Sequence, residues 1–179
     1  DIVAPTLAID ATLMTDNIVN NGEKAAVVIS GTSNAEDGQT VTLTITDGSA
    51  PPNTLTVTTV VTAGAWTYTA NISAFADGDI DITADVSDLA GNPATQATTT
   101  LVKDIVAPTI AIDDPLMTDN IVNNAEKSAI VISGTSNAED GQTVTLTITD
   151  GSTTMNATAT VTVGVWTYTA NISAFADGD

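Results

Sequence analysis

The chain has 179 residues, of which three are Lys and 22 are Asp or Glu, so its formal net charge at pH 7 is −19. It contains no His, Cys or Arg, which excludes Ser-His and Cys-His nucleophiles, disulfides and the usual zinc and haem ligand sets. The negative charge opposes binding to nucleic acid or to an anionic membrane surface, and the absence of an apolar run of about 18 residues argues against membrane insertion.

Carboxylate, amide and hydroxyl oxygens are abundant in this composition. They are hard ligands, and the cofactor class that they suit is Ca²⁺ or a similar cation. Catalysis is not expected, because carboxylates are the only bases at hand. The three Lys, at positions 24, 103 and 127, lie in a loop or at a repeat terminus, which argues against internal Lys–Asn isopeptide bonds.

The chain repeats itself. Residues 1–48 recur at 104–151 with six differences in 48 positions, and a three-residue deletion near position 50 then aligns Trp66 with Trp166. We therefore expect a first domain at 1–103 and a second, truncated domain at 104–179 that lacks the counterpart of residues 80–103. Such near-identity is typical of recent tandem duplication, so we expect more copies in the parent protein.

Alternation of apolar and polar residues predicts strands, and no segment shows a sustained helical period. In segment 40–46, for example, Val41, Leu43 and Ile45 face one way and four Thr face the other. Asn-Gly, Asp-Gly and Ala-Gly pairs supply turns between such segments. In chain order the predicted strands are A (5–10), B (25–32), C (40–46), D (54–62), E (65–72), F (79–87) and G (95–103).

Seven short strands in about 100 residues, each with one apolar face, predict an all-β immunoglobulin-like β-sandwich; a small closed barrel is the alternative. Trp66 and Trp166 alternate in step with Tyr68 and Tyr168, which favours a place for the two indole rings in the core over a role as stacking platforms for a ligand. With strand F expected beside C, the second domain would leave strand C without a sheet partner. We expect that remnant to fold only if the chain continues or another chain supplies the strands.

Strand directions place the acidic residues at two poles of the domain. A top pole receives Asp1, Asn34, Glu36, Asp37, Asp88 and Asn92, and a bottom pole receives Asp10, Asp16, Asn17, Asn20, Glu23, Asp47, Asp77 and Asp79. All of these except Asn34, Asp10, Asn17 and Asp47 are candidate calcium ligands. Where the two domains meet, Asp104 of the linker is joined by Asn137, Glu139 and Asp140. Converging carboxylates repel unless a cation intervenes, so this pattern predicts calcium at the joint. The alternative is a solvated acidic surface.

A series of short motifs now indicates a family. The motifs ISGTS (29–33), AEDGQTVT (35–42), ADGD (76–79) and DLAGNPAT (88–95) follow one another in this order after an initial D-x-x-A-P. The series resembles bacterial Ig-like tandem repeats, in particular the extender repeats of giant calcium-dependent RTX adhesins, a group that includes the ice-adhesion protein of an Antarctic bacterium.

The resemblance implies a non-catalytic structural spacer on the bacterial cell surface, secreted by a type I system. It further implies calcium ions and neighbouring repeats of the same chain as partners, with the tip ligand bound elsewhere in the parent protein. The alternative function is a module that itself binds a glycan, ice or a protein. Such a module needs exposed aromatic residues or a flat regular face, and the sequence offers few aromatics.

Overall fold

A computed structural model describes residues 2–177, and its chain divides into two compact units, Asp1–Val106 and Ala107–Asp179. The described residues form strands and no helix. Unit 1 contains β1 (Leu7–Ile9), β2 (Ile18–Val19), β3 (Val27–Ser33), β4 (Thr40–Asp47), β5 (Thr54–Val60), β6 (Ala65–Ala70), β7 (Gly78–Asp85) and β8 (Ala97–Lys103). Unit 2 contains β9 (Ile110–Ile112), β10 (Ile130–Ser136), β11 (Thr143–Thr149), β12 (Thr154–Thr160) and β13 (Val165–Ala170).

Unit 1 is an immunoglobulin-like sandwich of two separate sheets, which confirms the predicted fold and excludes the barrel. One sheet has the order β1-β3-β6, and the other has the order β2-β8-β7-β4-β5. All pairs are antiparallel except β2 with β8. The predicted strands A to G correspond to β1 and to β3 through β8, with bounds that differ by at most a few residues.

Strand β2 was not predicted. It is two residues long, and its register pairs Ile18 with Val102 and Val19 with Lys103. The chain thus leaves the first sheet after β1 and joins the edge of the second sheet, where Val19 is fully buried. So short an element carries no readable alternation, and turn-forming residues flank it on both sides.

The core of unit 1 consists of the apolar residues that alternate inward along its strands. Val41, Leu43 and Ile45 are each 0% exposed, and Ala84 and Ile82 of the neighbouring strand, β7, lie opposite Leu43 and Ile45. Trp66 is 3% exposed and Trp166 is 2% exposed, so the prediction that both rings belong to the core is confirmed.

A two-residue turn at Ala63–Gly64 links β5 to β6, as the sequence predicted. Both residues have positive φ, at 52° and 77°, and Thr62 and Ala65 exchange backbone hydrogen bonds across the turn. Beyond the turn the two strands diverge, because β5 pairs with β4 while β6 pairs with β3 in the other sheet.

Unit 2 repeats part of this plan. Strands β9, β10 and β13 form a three-stranded sheet, and β11 pairs with β12 over seven residue pairs. The expectation that strand C would have no sheet partner here was wrong, because strand D belongs to the same sheet as C in both units. Among the residues described, no helix is long and apolar enough to cross a lipid bilayer.

Candidate calcium ligands at the poles of the repeat

The strand directions bring the loops 34–39, 61–64 and 86–96 of unit 1 to one end, the top pole. Glu36 Oε2 accepts a hydrogen bond from the backbone N–H of Leu89 at 3.0 Å. Asp37 Oδ1 accepts one from the N–H of Ala63 at 2.8 Å. Each carboxylate therefore ties its own loop to a neighbouring loop through one oxygen.

Asp88 and Asn92, two further candidates at this pole, bind each other. Asn92 donates to Asp88 Oδ1 from its backbone N–H at 2.7 Å and to Oδ2 from its side-chain amide at 2.8 Å. The side-chain hydrogen bond from Asn92 is the main cause that holds the pKa of the Asp88 carboxyl below its usual range. Burial of the carboxyl acts against this shift, and hydrogen bonds from backbone N–H groups add to it. Asp88 is buried, and its carboxylate closes the β7–β8 loop.

The bottom pole of unit 1 collects the segment between β1 and β3 and the loops after β4 and β6. In the segment between β1 and β3, the side chain of Asp16 accepts a hydrogen bond from the backbone N–H of Ile18 at 2.9 Å. Asn20 accepts from the N–H of Gly22 at 2.8 Å, and its own N–H donates to Glu23 at 3.1 Å. These three candidates close local turns on either side of β2.

Asp77 forms an ion pair at the bottom pole. Its Oδ1 lies 3.3 Å from Nζ of Lys103, which is 2% exposed and also donates to the carbonyl of Phe75. Sequence reasoning placed Lys103 at a repeat terminus and missed its burial. Asp79 begins the exposed face of β7, opposite Val102 in register.

Asp47 is the bottom-pole carboxylate with the largest number of hydrogen bonds here, and it was not among the predicted ligands. Its Oδ2 accepts from Asn53 Nδ2 at 2.6 Å and from the N–H of Ala76 at 2.7 Å. Its Oδ1 accepts from the N–H of Asn53 and from the N–H and hydroxyl of Ser49. The pKa of Asp47 lies far below the usual range, and the main causes are the side-chain hydrogen bonds from Asn53 and Ser49.

The remaining candidates lie near the boundary of the repeats or in unit 2. Asp104 accepts from the N–H of Val106 at 3.0 Å. In unit 2, Asn137 accepts from the N–H of Thr109 at 2.6 Å and Asp140 from the N–H of Val163 at 2.6 Å, while Glu139 is exposed. Asp1 lies outside the described residues.

The donor chemistry of both poles suits calcium, but the arrangement within the described residues does not form a cage. Calcium takes six to eight oxygen ligands. No group of three or more acidic side chains in residues 2–177 is arranged to hold a metal ion. The hydrogen bonds instead fix the loops that carry the carboxylates, and for Asp47 and Asp88 they engage both oxygens.

Solved structures of adhesin regions resemble the chain. A Ca²⁺-stabilized adhesin that helps an Antarctic bacterium to reach out and bind ice is 29% identical, with 97% of this chain and 42% of that chain covered and a TM-score of 0.53. A 1.5-MDa bacterial ice-binding adhesin, studied for its retention at the host cell surface, is 22% identical, with coverages of 97% and 55% and a TM-score of 0.59. The chain thus spans about half or less of those chains.

A third similar structure, a tetra-tandem repeat in the extending region of a large adhesion protein, is 26% identical with a TM-score of 0.46, and 98% of this chain and 43% of that chain are covered. No curated protein matches the chain significantly.

The family model for the bacterial Ig-like domain matches residues 7–105, from the start of β1 to just beyond the end of β8. These residues are more than half of the chain, which therefore belongs to the bacterial Ig-like domain family.

Proposed function

We propose that the chain is part of the extender region of a secreted bacterial cell-surface adhesin and serves as a non-catalytic spacer. The observation that carries this proposal is the repetition of one Ig-like unit with almost the same sequence. A tandem array of such units adds length with each copy, and each unit needs only its neighbours as partners. The likeness of the chain to regions of bacterial adhesins also supports a spacer function.

We further propose that calcium makes the array stiff by binding at the joints between repeats. The net charge of −19 and the carboxylates in the pole loops would oppose close approach of neighbouring repeats unless a cation neutralised them. Asp104 in the linker, Asp77 and Asp79 before it, and Asn137, Glu139 and Asp140 after it are the proposed ligands. The calcium-stabilised relative supports this choice of metal.

Calcium removal tests the proposal directly. A ligand that binds only the folded form adds about 2.7 kcal/mol of stability at a hundredfold excess over its Kd. We therefore expect EGTA to lower the melting temperature of the chain and to broaden the distribution of distances seen by small-angle scattering, and Ca²⁺ but not Mg²⁺ to restore both. Unchanged melting and scattering profiles would exclude a structural role for calcium.

Two matched variants locate the metal. Asp104→Ala removes a proposed ligand, whereas Asp85→Ala removes a carboxylate on the outer face of β7 that accepts from the side chain of Gln96. Calorimetric titration is expected to give weaker calcium binding for Asp104→Ala and an unchanged affinity for Asp85→Ala. Equal affinities in the two variants would move the site away from the linker.

A separate experiment addresses the alternative, a module that binds a glycan or a protein. The two Trp rings are buried and offer no stacking surface for a sugar. We expect a glycan array probed with the labelled chain to give no specific signal. A saturable glycan signal that survives EGTA would favour the binding module over the spacer.

A further inference from the structure

The sequence contains one Asn-Gly pair, Asn21–Gly22, in the segment that joins β2 to β3. Both residues of the pair are exposed. The corresponding pair in unit 2 is Asn124–Ala125, and it lies within the same Asn-Asn-x-Glu-Lys sequence. The chain therefore carries one exposed Asn that is followed by Gly and, in an equivalent position, one that is followed by Ala.

An asparagine that is followed by glycine can lose its side-chain amide without an enzyme. The backbone nitrogen of the glycine gives up its proton and attacks Cγ of the asparagine, the bond from Cγ to the side-chain nitrogen breaks, and ammonia leaves. Water then opens the five-membered succinimide ring, and the product is aspartate or isoaspartate. A Cβ on the following residue crowds the attacking nitrogen, and glycine has none.

A hydrogen-bonded turn restrains the attacking nitrogen in unit 1. The N–H of Gly22 donates to Oδ1 of Asn20 at 2.8 Å, and the N–H of Asn20 donates to Oε2 of Glu23 at 3.1 Å. These two bonds resemble a capping box, and the N–H of Lys24 closes the turn on the Asn20 carbonyl at 3.2 Å. The ring can form only when the turn opens, and hydrogen bonds in an exposed turn open at little cost.

The equivalent turn of unit 2 has the same restraints. The N–H of Ala125 donates to Oδ1 of Asn123 at 2.8 Å, and the N–H of Asn123 donates to Oε2 of Glu126 at 3.0 Å. Gly22 has no left-handed φ, and a Cβ built on it would meet the side-chain oxygen of Asn20 at 3.2 Å. The glycine is therefore not required by the turn, and at the attacking residue the two turns differ by one methyl group.

Lys24 provides a second activating feature in unit 1. Its Nζ donates to Oδ1 of Asn21 at 2.6 Å. The ammonium charge withdraws electrons from the amide carbon, and it stabilises the negative charge that develops on this oxygen when the Gly22 nitrogen attacks. The carbon that must be attacked is thus polarised by a side chain of the same turn.

We propose that Asn21 is a site of spontaneous deamidation in the folded chain, with water as the co-reactant. The product carries a carboxylate in place of the amide. It adds one negative charge at the bottom pole of unit 1, next to Asn20 and close to Glu23, which are two of the predicted calcium ligands. Asn124 reacts far more slowly, so two units with nearly the same sequence come to differ in charge with time.

The test incubates the full chain at mildly alkaline pH and samples it over time. Trypsin cleaves after Lys, so Asn21 and Asn124 fall in separate peptides, 1–24 and 104–127. We expect the first peptide to gain one dalton at least about tenfold faster than the second, because glycine leaves the attacking nitrogen uncrowded. Fragment spectra should place the gain at Asn21, and an isoaspartyl methyltransferase should label the isoaspartate formed there.

A reciprocal pair of variants provides the matched control. Gly22→Ala gives unit 1 the sequence of unit 2 at this position and should slow the reaction of Asn21 to the rate of Asn124. Ala125→Gly makes the opposite change and should accelerate the reaction of Asn124. Equal rates at the two asparagines of the unaltered chain, or a rate at Asn21 that Gly22→Ala leaves unchanged, would overturn the proposal.

Two further measurements test the contributions of the lysine and of the fold. Lys24→Met should slow the reaction of Asn21 by about threefold or more, because the oxygen loses its charged donor. This variant is cleaved after Glu23 instead of after position 24. An unchanged rate in Lys24→Met would overturn the role of the lysine, and a mass gain that appears only when urea unfolds the chain would overturn the proposal for the folded protein.

Discussion

The Asp47 carboxylate shows how a single residue organises the bottom pole of unit 1. It is 4% exposed, and it accepts hydrogen bonds from the loop after β4 and from Ala76 in the loop after β6. Asp150 does the same in unit 2, where the N–H groups of Thr153 and Ala176 are the leading causes of a strongly lowered pKa. In both units the carboxylate joins two loops, and the second of them carries a further acidic residue, Asp77 in unit 1 and Asp177 in unit 2.

Asp47→Asn is expected to lower the melting temperature of unit 1 by several degrees at pH 7, because an amide cannot accept all of these bonds. The pKa of Asp47 is depressed in the folded state, so its contribution to stability is complete above the unfolded value of about 3.9 and declines as pH falls towards the folded pKa. The difference between wild type and variant should therefore narrow between about pH 5 and pH 2. Thermal melts across that range measure it.

The control for this prediction is Asp81→Asn, since Asp81 lies on the exposed face of β7 and accepts from the hydroxyl of Thr100. That variant should differ little from wild type at pH 7. A wild-type advantage over Asp47→Asn that stays constant down to pH 2 would show that the charge of Asp47 does not matter.

Lys103 is the second residue whose burial decides its role. Its side chain is 2% exposed, and its ammonium group donates to the Phe75 carbonyl and pairs with the Asp77 carboxylate. Lys103→Met keeps much of the side-chain volume but leaves the carbonyl without this donor, so we expect a loss of about 1–3 kcal/mol in the free energy of unfolding. Urea titration measures it, with Lys24→Met as the matched control.

Lys24 is only half-buried and donates to Asn21 at 2.6 Å. Its replacement by Met should cost less than about 0.5 kcal/mol, in keeping with other surface substitutions. Equal costs for the two variants would mean that burial of the Lys103 ammonium contributes nothing special to the fold.

At the scale of elements, the approach of β3 to β6 depends on Gly31. A Cβ at this position would lie 2.1 Å from the Ala8 carbonyl oxygen and 2.4 Å from Cζ2 of Trp66. Because one of these contacts is backbone, a larger residue requires β1 and β3 to separate. Gly31 also pairs with Trp66 in register, so the indole lies over the bare backbone of β3.

We expect Gly31→Ala to destabilise unit 1 by about 1–3 kcal/mol, as overpacking of a close-packed core does. Gly48→Ala is the matched control, because a Cβ at Gly48 meets no atom within 4 Å and its φ is not in the left-handed region. That change should lie within about 0.5 kcal/mol of wild type. Chemical denaturation of both variants compares them, and a tolerated Gly31→Ala would show that the sheet can open at little cost.

The strands also show how much of the fold the alternation of apolar and polar residues could predict. It located seven strands and the inward phase of Trp66, because one face of each strand is buried. It could not assign strand D to a sheet, since an alternating strand fits the edge of either sheet equally well. It also treated Asp47, Asp77 and Asp88 as part of one acidic population, because a sequence does not show which carboxylates are engaged by N–H donors or by a buried lysine.

The outer face of the five-stranded sheet has a regular composition that alternation did predict. Thr44 on β4 lies opposite Thr56 on β5 and Thr83 on β7, and Thr83 in turn lies opposite Thr98 on β8. Cross-strand Thr pairs contribute to sheet stability through their methyl and hydroxyl groups. The same rows give the domain a polar exterior with few aromatic residues, which suits a spacer.

At the scale of the whole molecule, the two units share most of their sequence but not their burial. In unit 2 the inward residues Val144 and Leu146 remain buried, at 6% and 7% exposed, against 0% for Val41 and Leu43. Larger differences in exposure fall on Val122 and Ile110, whose counterparts in unit 1, Val19 of β2 and Leu7 of β1, lie on strands that contact β8. The sequence of a strand therefore sets which face is apolar, while its neighbours set how deeply that face is buried.

We therefore expect the two units to unfold separately, with unit 2 unfolding first. Full burial of an aliphatic side chain is worth about 1.5–3 kcal/mol, and several such side chains are partly exposed in unit 2. A difference of at least about 3 kcal/mol should follow, which is large against a typical domain stability of about 5–15 kcal/mol. The two indole N–H signals, from Trp66 and Trp166, allow each unit to be followed by NMR in one urea titration. Loss of both signals at the same urea concentration would mean that the units unfold as one cooperative body, and that the apolar face exposed in unit 2 costs it no stability.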